Sequence, residues 1–317
     1  MHGLTLNFKY PPSSYEEDNN QSAKSNLPAV REKVKSWVAD GHVTELDTKP
    51  FCCITLSLIT KIDNSTGKIK HWPCIDMSRY LNPLSLDDPI KLDDLSVAEH
   101  LVDRNDFMAS LDLKNMFFHV QLHPEFKKYF GFKLPNEDGT DQYYQFTVMA
   151  YGIKPAVSTV TRLLKPVKAY LHSLGVKFSI YIDDGRVLAS TSVSCWDQFE
   201  AAKLILSLAG WNLQMAKTST KPVQSLQYLG FITDTVSMRY FAPPEKLTLI
   251  ASTIKECLAR IENSQPFLAR EISSILGKLH ALSNSHGNCV YMCRATQHQL
   301  GLRHLRRQEN HFLQVQQ

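Results

Sequence analysis

The sequence predicts a mixed α+β fold that gives way to a helical module near residue 240. Three observations carry that prediction. Short apolar runs, several flanking hairpin signals, occupy much of 50–235. Helical periodicity falls between them at 28–41, 156–174 and 195–210. From Pro244 onward only helical spacing remains.

The elements follow in order. Residues 11–27, "PPSSYEEDNNQSAKSNL", are polar and turn-rich and read as a loose arm. Val30, Val34, Trp37 and Val38 then recur at helical spacing, with Gly41 as the stop. "FCCITLSLITKID" (51–63) is strand-like, "NSTGK" (64–68) is a turn, and "IKHWPCIDM" (69–77) returns as the second strand of a hairpin. "FMASLDL" (107–113) is a short strand ending in an acid. "KYFGFKLP" and "YYQFTVMAYG" flank a second hairpin signal, "NEDGTD". Val160, Leu163, Leu164, Val167, Leu171 and Leu174 form a helical stripe with Pro166 inside it, which predicts a kink. "CWDQFEAAKLILSLAG" (195–210) reads as a helix ending at Gly210, and "WNLQMA" and "SLQYLGFIT" read as strands. Ile272, Ile275, Leu276, Leu279 and Leu282 share one stripe of the helical module.

Bulk properties narrow the function. With 317 residues, of which 43% are hydrophobic and 21% charged, the chain can bury a sizeable core. A formal charge of +4 is compatible with a nucleic-acid partner without requiring one. No apolar run is long enough to span a membrane, so no membrane partner is expected. The first twenty residues lack the apolar stretch of a secretory signal, so an intracellular location, cytoplasmic or nuclear, is expected. Seven cysteines without a CxxC pair read as reduced thiols.

The chemistry centres on "KFSIYIDDGRVLAS" (177–190), where Asp183 and Asp184 stand side by side after an apolar strand pattern. One reading is structural: Asp-Asp-Gly makes a good hairpin turn, because Asp and Gly tolerate positive φ. The other is catalytic. If Asp112, at the end of another strand, converged on the pair, three carboxylates would repel one another unless a cation lay between them, and hard oxygen donors select Mg²⁺ or Mn²⁺. Such a site suits two-metal phosphoryl transfer. Spacing alone leaves the convergence open.

The ordered blocks along the chain resemble those of reverse transcriptases, most closely those of DIRS-type retroelements. "CIDMSRYLN" (74–82) resembles the fingers block and "SLDLKNMFFHVQLHPEFKKYFGF" (110–132) the first catalytic block. "QFTVMAYGIKPA" (145–156) resembles the Gly-containing block, "YIDD" (181–184) is similar to the Tyr-x-Asp-Asp signature, "GWNLQMAKTS" (210–219) resembles the Gly…Lys block, and "YLGF" (228–231) the primer-grip turn. The resemblance covers roughly 50–235 and implies an α+β right-hand polymerase, with an antiparallel palm sheet packed on helices and a helical thumb. Its implied divisions are a flexible arm at 1–27, fingers with the start of the palm at 28–105, palm at 106–240 with a fingers insertion near 120–150, thumb at 241–301 and a basic tail at 302–317.

The resemblance also implies roles. Asp112, Asp183 and Asp184 would be the catalytic and metal-binding acids, with the Leu113 carbonyl helping to hold one of two Mg²⁺ ions, for which Mn²⁺ could substitute. Phe117 would be the bulky gate that excludes a 2′-hydroxyl, while Phe118 is expected in the core. Tyr151, Gly152, Ile182 and Lys217 would line the nucleotide site, with Lys217 near the departing pyrophosphate. Tyr181, Leu229, Gly230 and Phe231 would hold the primer. The implied partners are an RNA or DNA template with its primer and deoxynucleoside triphosphates, and the implied activity is RNA-directed DNA polymerisation. The chain departs from the family in three places. Trp72-Pro73 precedes "CID" where a basic residue is usual, which shifts the triphosphate contact to Lys61 or Lys70. Lys154 and Val157 are unusual after Gly152, and Gly185-Arg186 replaces a bulky apolar residue after the acids. These departures leave a second reading, a domesticated, non-catalytic nucleic-acid-binding relative. A zinc site at His286, Cys289, Cys293 and His298 is disfavoured by its spacing.

Overall fold

The computed structural model describes residues 3–62, 67, 69–263, 269–283, 285, 293–294 and 298. His286 and Cys289 of the disfavoured zinc set and the basic tail lie outside these.

Contacts divide the chain into two units. One comprises 1–94, 111–185 and 198–219; the other comprises 95–110, 186–197 and 220–317. In the first unit the N-terminal segment is not the loose arm its composition suggests. Strand β1 (Tyr15–Glu16) and helix α1 (Gln21–Lys24) are followed by α2 (Leu27–Ala39), β2 (Val43–Leu46), β3 (Cys52–Cys53), β4 (Thr55–Ile62) and β5 (Ile69–Asp76). β1 pairs in parallel with β3, with Tyr15 opposite Cys52. The Asn19 Oδ1 accepts from the Leu56 N–H at 2.9 Å, and the Asn19 amide donates to the Lys133 carbonyl at 2.7 Å. The polar side chains that suggested disorder thus satisfy strand edges instead. Helix α2 buries Val30, Val34 and Trp37, as its spacing predicts, and Gly41 ends it with φ +73°. Each of those side chains contributes about 1.5–3 kcal/mol of burial.

Two short helices, α3 (Leu81–Leu84) and α4 (Leu95–Glu99), lead to β6 (Phe107–Asp112). The chain then makes a 3₁₀ turn at Met116–His119 and a short helix α5 (Pro124–Lys127), and enters the hairpin β7 (Gly131–Pro135) and β8 (Asp141–Phe146). These strands complete a five-stranded sheet ordered β1-β3-β7-β8-β2, while β4 and β5 form a separate antiparallel ribbon. Phe130, Phe132 and Phe146 are fully buried behind the larger sheet.

Helix α6 (Ala156–Ser173) runs through Pro166, which it places on the exposed side. It buries Val160, Leu164 and Leu171 but leaves Leu163 and Leu174 half-exposed, so the buried face is narrower than the apolar stripe implied. Strands β9 (Lys177–Tyr181) and β10 (Asp184–Ala189) follow, then α7 (Ser192–Leu208). β6, β10 and β9 form a three-stranded sheet in the order β6-β10-β9. "WNLQMA" is not a strand: Leu213 makes one isolated bridge with Leu113, and Met215–Lys217 is a 3₁₀ turn.

The second unit contains the meander β11 (Ser225–Tyr228), β12 (Phe231–Asp234) and β13 (Arg239–Phe241), then helices α8 (Pro244–Glu262) and α9 (Ala269–His280). Ala242, Ile250 and Leu282 form the core of this helical end, with Ile254 and Leu279 packed against it. The six described cysteines are free thiols.

Candidate active site

Asp112 closes β6, and tertiary structure makes this position special. Its carboxylate is one-tenth exposed and its Oδ2 accepts from the Lys217 Nζ at 2.8 Å. Its carbonyl accepts from the Gln214 N–H at 2.8 Å. The next residue, Leu113, donates its N–H to the Asp183 carbonyl at 2.9 Å. That backbone bond extends the pairing of β6 with β10 to the tip of the β9–β10 hairpin, bringing together acids about seventy residues apart in sequence.

The hairpin tip differs from the turn the sequence suggested. Ile182 and Asp183 link Tyr181 to Asp184, and the residue with positive φ is Ile182, at +58°. A β-branched residue in the left-handed region costs on the order of 1–3 kcal/mol and persists only where its surroundings hold it. Gly185 has no such φ. It is glycine for another reason: a Cβ there would lie 2.7 Å from Leu111 Cδ1. The bulky residue that resemblance led one to expect after the acids is replaced by Leu111, reaching across from the neighbouring strand.

Electrostatics confirm that the carboxylates sense one another. Burial raises the Asp183 carboxyl above its ordinary pKa, and Asp112 adds to the rise, while hydrogen bonding to its own backbone and the charge of Lys217 oppose it. Desolvation also raises Asp184, followed by repulsion from Asp183 and Asp112. Burial and then the same two acids, Asp183 and Asp112, push the Tyr151 hydroxyl up to about 12. The hydrogen bond to Asp112 raises Lys217, which is charged at neutral pH.

Around the acids, Phe117 meets Tyr151 edge-on at 4.9 Å between ring centroids. Phe118 packs among Trp37, His42 and Phe146, the core place expected of it, and also touches Tyr151. The expected reason was wrong: the chain leaves the strand at Asp112, so a 3₁₀ turn rather than strand alternation orients the two rings. Gly152, at φ +98°, is required both by that conformation and because a Cβ would lie 2.6 Å from the Ile75 carbonyl oxygen. Asn82, which the sequence reading did not single out, holds this turn. Its amide donates to the Gly152 carbonyl and its Oδ1 accepts from the Lys154 N–H, both at 2.8 Å. Its place at the end of "CIDMSRYLN" was the available signal. The unusual Lys154 pairs with Asp87 at 2.5 Å.

Lys61 and Lys70 stand directly opposite each other on the β4–β5 ribbon, two rungs from the exposed pair Ile59 and Trp72. They belong to a different hairpin from the acids. Leu229 and Gly230, at φ +49° and +78°, make a two-residue turn between Tyr228 and Phe231 in the second unit. Positive φ at both central positions is the type I′ signature.

Among the described residues, no group of three or more His, Cys, Asp or Glu side chains stands ready-made around a metal ion. The donor chemistry of Asp112, Asp183 and Asp184 nevertheless fits a hard divalent cation. All three supply oxygen, the burdened Asp183 and Asp184 are short of positive charge, and the Lys217 ammonium on Asp112 marks where a cation is stabilised.

Comparison with known proteins agrees with this architecture. The family described as reverse transcriptase (RNA-dependent DNA polymerase) matches residues 75–233. No curated protein matches the chain. Among solved structures, a foamy viral protease-reverse transcriptase in complex with double-stranded DNA is similar at a TM-score of 0.66 and 18% identity, covering 92% of this chain and 48% of that one. A second foamy viral protease-reverse transcriptase complex with double-stranded DNA gives 0.64 and 18%, covering 88% and 52%. A third, with an RNA/DNA hybrid, gives 0.60 and 17%, covering 88% and 35%. The chain spans about half or less of each of these proteins. The fold is therefore the α+β right-hand polymerase fold, its sheets mostly antiparallel apart from the parallel β1–β3 and β3–β7 pairs.

Proposed function

The chain belongs to the reverse transcriptase (RNA-dependent DNA polymerase) family, and we propose that it is an active RNA-directed DNA polymerase from a retroelement of the DIRS type. The observation that carries this reading is the Leu113–Asp183 backbone bond, which sets Asp112 beside Asp183 and Asp184. In this reading 28–105 form the fingers with the start of the palm, 106–240 the palm and 241–301 the thumb.

Asp112, Asp183 and Asp184 would hold two Mg²⁺ ions, which would lower the pKa of the attacking primer hydroxyl and offset charge on the transferring phosphate. The primer 3′-hydroxyl gives up its proton to solvent, and its oxygen forms a bond to the α-phosphorus as the bond to the pyrophosphate oxygen breaks. Lys217, whose ammonium donates to Asp112 here, would offer its charge to the departing pyrophosphate. Phe117, braced edge-on by Tyr151, lies where a ribose 2′-hydroxyl would clash. Gly152 lets the backbone approach the nascent base pair, and Ile182 and Tyr181 lie beside the nucleotide and the primer end. Lys61 and Lys70 supply the triphosphate charge that Trp72 cannot. Leu229, Gly230 and Phe231 form the primer-holding turn.

The test is primer extension on an RNA template with Mg²⁺ or Mn²⁺. The unmodified protein should extend, and Asp183→Asn should lose at least 10³-fold, on the order expected when a group acting only in the transition state is removed. Binding of primer–template without extension by the unmodified protein would instead establish the domesticated, non-catalytic alternative. Extension confined to DNA templates would correct the template class.

A further inference from the structure

Arg186 follows the acidic pair by two positions on the same strand, β10, and it is wholly buried, at 0% exposure. Its place in a strand pattern would predict an apolar side chain. Fully burying a guanidinium is costly unless its donors are used. Here they are used within the second unit. Its Nη2 donates to the Ala98 carbonyl at 3.0 Å, and its Nη1 reaches the Thr233 hydroxyl at 3.4 Å and the Met108 sulfur at 3.9 Å. The guanidinium carbon sits 4.5 Å from the centroid of the Tyr228 ring. The Nε has no hydrogen-bond partner among the described residues, and burial and the Tyr228 and Tyr240 hydroxyls, not a carboxylate, are the influences on its charge.

Three of these partners frame the Leu229–Gly230 turn or belong to β6. Tyr228 is the last residue before the Leu229–Gly230 turn, and Thr233 lies on β12, just after it. Met108 belongs to β6, the strand that ends in Asp112. A planar, multi-donor cation stacked on an aromatic ring is a stiff spacer: it fixes distance and angle together, which an aliphatic side chain cannot do. A core that needed only volume would use leucine or methionine and avoid the desolvation cost, so retention of arginine calls for a positional role.

We propose that Arg186 is a positioning residue for polymerisation: within the second unit it locks the Tyr228–Phe231 turn to Met108 of β6 and to its own strand β10, and so fixes the turn that holds the primer. The inference rests on the polymerase reading and adds a residue to it. Arg186 does not touch substrate; it acts through Tyr228 and Thr233.

The experiment compares the unmodified chain with Arg186→Met, Arg186→Lys, Tyr228→Leu and the Arg186→Met/Tyr228→Leu double variant. Single-turnover incorporation at saturating nucleotide is measured alongside primer–template affinity, Mn²⁺ binding and thermal melting. Arg186→Met should slow incorporation at least tenfold while Mn²⁺ affinity stays within twofold. Arg186→Lys should recover only part of that loss, because it keeps the charge but not the fork and the stack. The double variant should lose no more than the worse single variant, since both substitutions break one contact. If Arg186→Met fails to fold, Arg186→Lys and Tyr228→Leu carry the comparison. Folded variants that incorporate within twofold of the parent would overturn the proposal, as would losses that multiply in the double variant or a loss fully accounted for by weakened Mn²⁺ binding. An unmodified chain that binds primer–template but extends nothing would defeat the polymerase reading itself, and the proposal with it.

Discussion

Asp183 and Asp184 are residues whose function and stability pull in opposite directions. Burial and mutual repulsion raise their pKa values above the ordinary carboxylate range, so the folded state holds their protons more tightly than the unfolded state does. The sign of the linkage follows. Below the ordinary carboxylate pKa, about 4, both states are protonated and nothing is lost. As pH rises from there through the raised folded values, the unfolded state releases protons first and stability falls. Asp183→Asn should therefore melt higher than the parent at pH 7, with the difference shrinking toward pH 4, even as extension is abolished. Thermal melts across pH check this, and a variant that melts lower at pH 7 would refute the charge-burden argument. The same repulsion gives a cation something to relieve, so added Mg²⁺ should raise the melting temperature of the parent more than that of Asp183→Asn, by mass action on the folded state.

Among the elements, β6 and β10 are fitted to one another through a large-small exchange. Gly185 is bare because Leu111 fills its space. Gly185→Leu should lower the melting temperature by several degrees, consistent with an overpacking cost of about 1–3 kcal/mol. Gly185→Leu with Leu111→Ala should recover part of it. If the double variant is no more stable than Gly185→Leu, the two positions do not exchange volume. The strained Ile182 shows the same interdependence: its positive φ is tolerated because β9 and β10 on either side, and the Leu113 bond at Asp183, hold the tip.

At the scale of the whole chain, the N-terminal segment is structural. Leu6 is buried, Leu4 bridges to Leu122, and β1 is an edge of the five-stranded sheet. The Asn20 N–H donates to the Leu56 carbonyl at 2.9 Å, joining the segment to the β4–β5 ribbon as well. Deleting residues 1–20 should lower the melting temperature by about 5 °C or more, given the usual few degrees per kcal/mol. An unchanged melt would show that the segment is a passenger.

Much of this was legible in the sequence. Strand and helix periods, the hairpin at "NEDGTD", the stop at Gly41 and the amphipathic module after Pro244 depend on near neighbours, so local pattern reveals them. The ordered blocks named every acid that the site contains. What the sequence left open depended on partners distant along the chain. The polar arm looked loose because its composition does not show that Asn19 and Asn20 meet strand edges. The positive φ was assigned to Asp and Gly because propensity is local, whereas tertiary restraint placed it at Ile182. Gly185 and Arg186 looked like departures until Leu111 and Tyr228 supplied their reasons. By itself the sequence determined which residues could do the chemistry; tertiary structure alone decided that Asp112 lies beside Asp183, because a hydrogen bond between strands so far apart in sequence leaves no periodic trace in either.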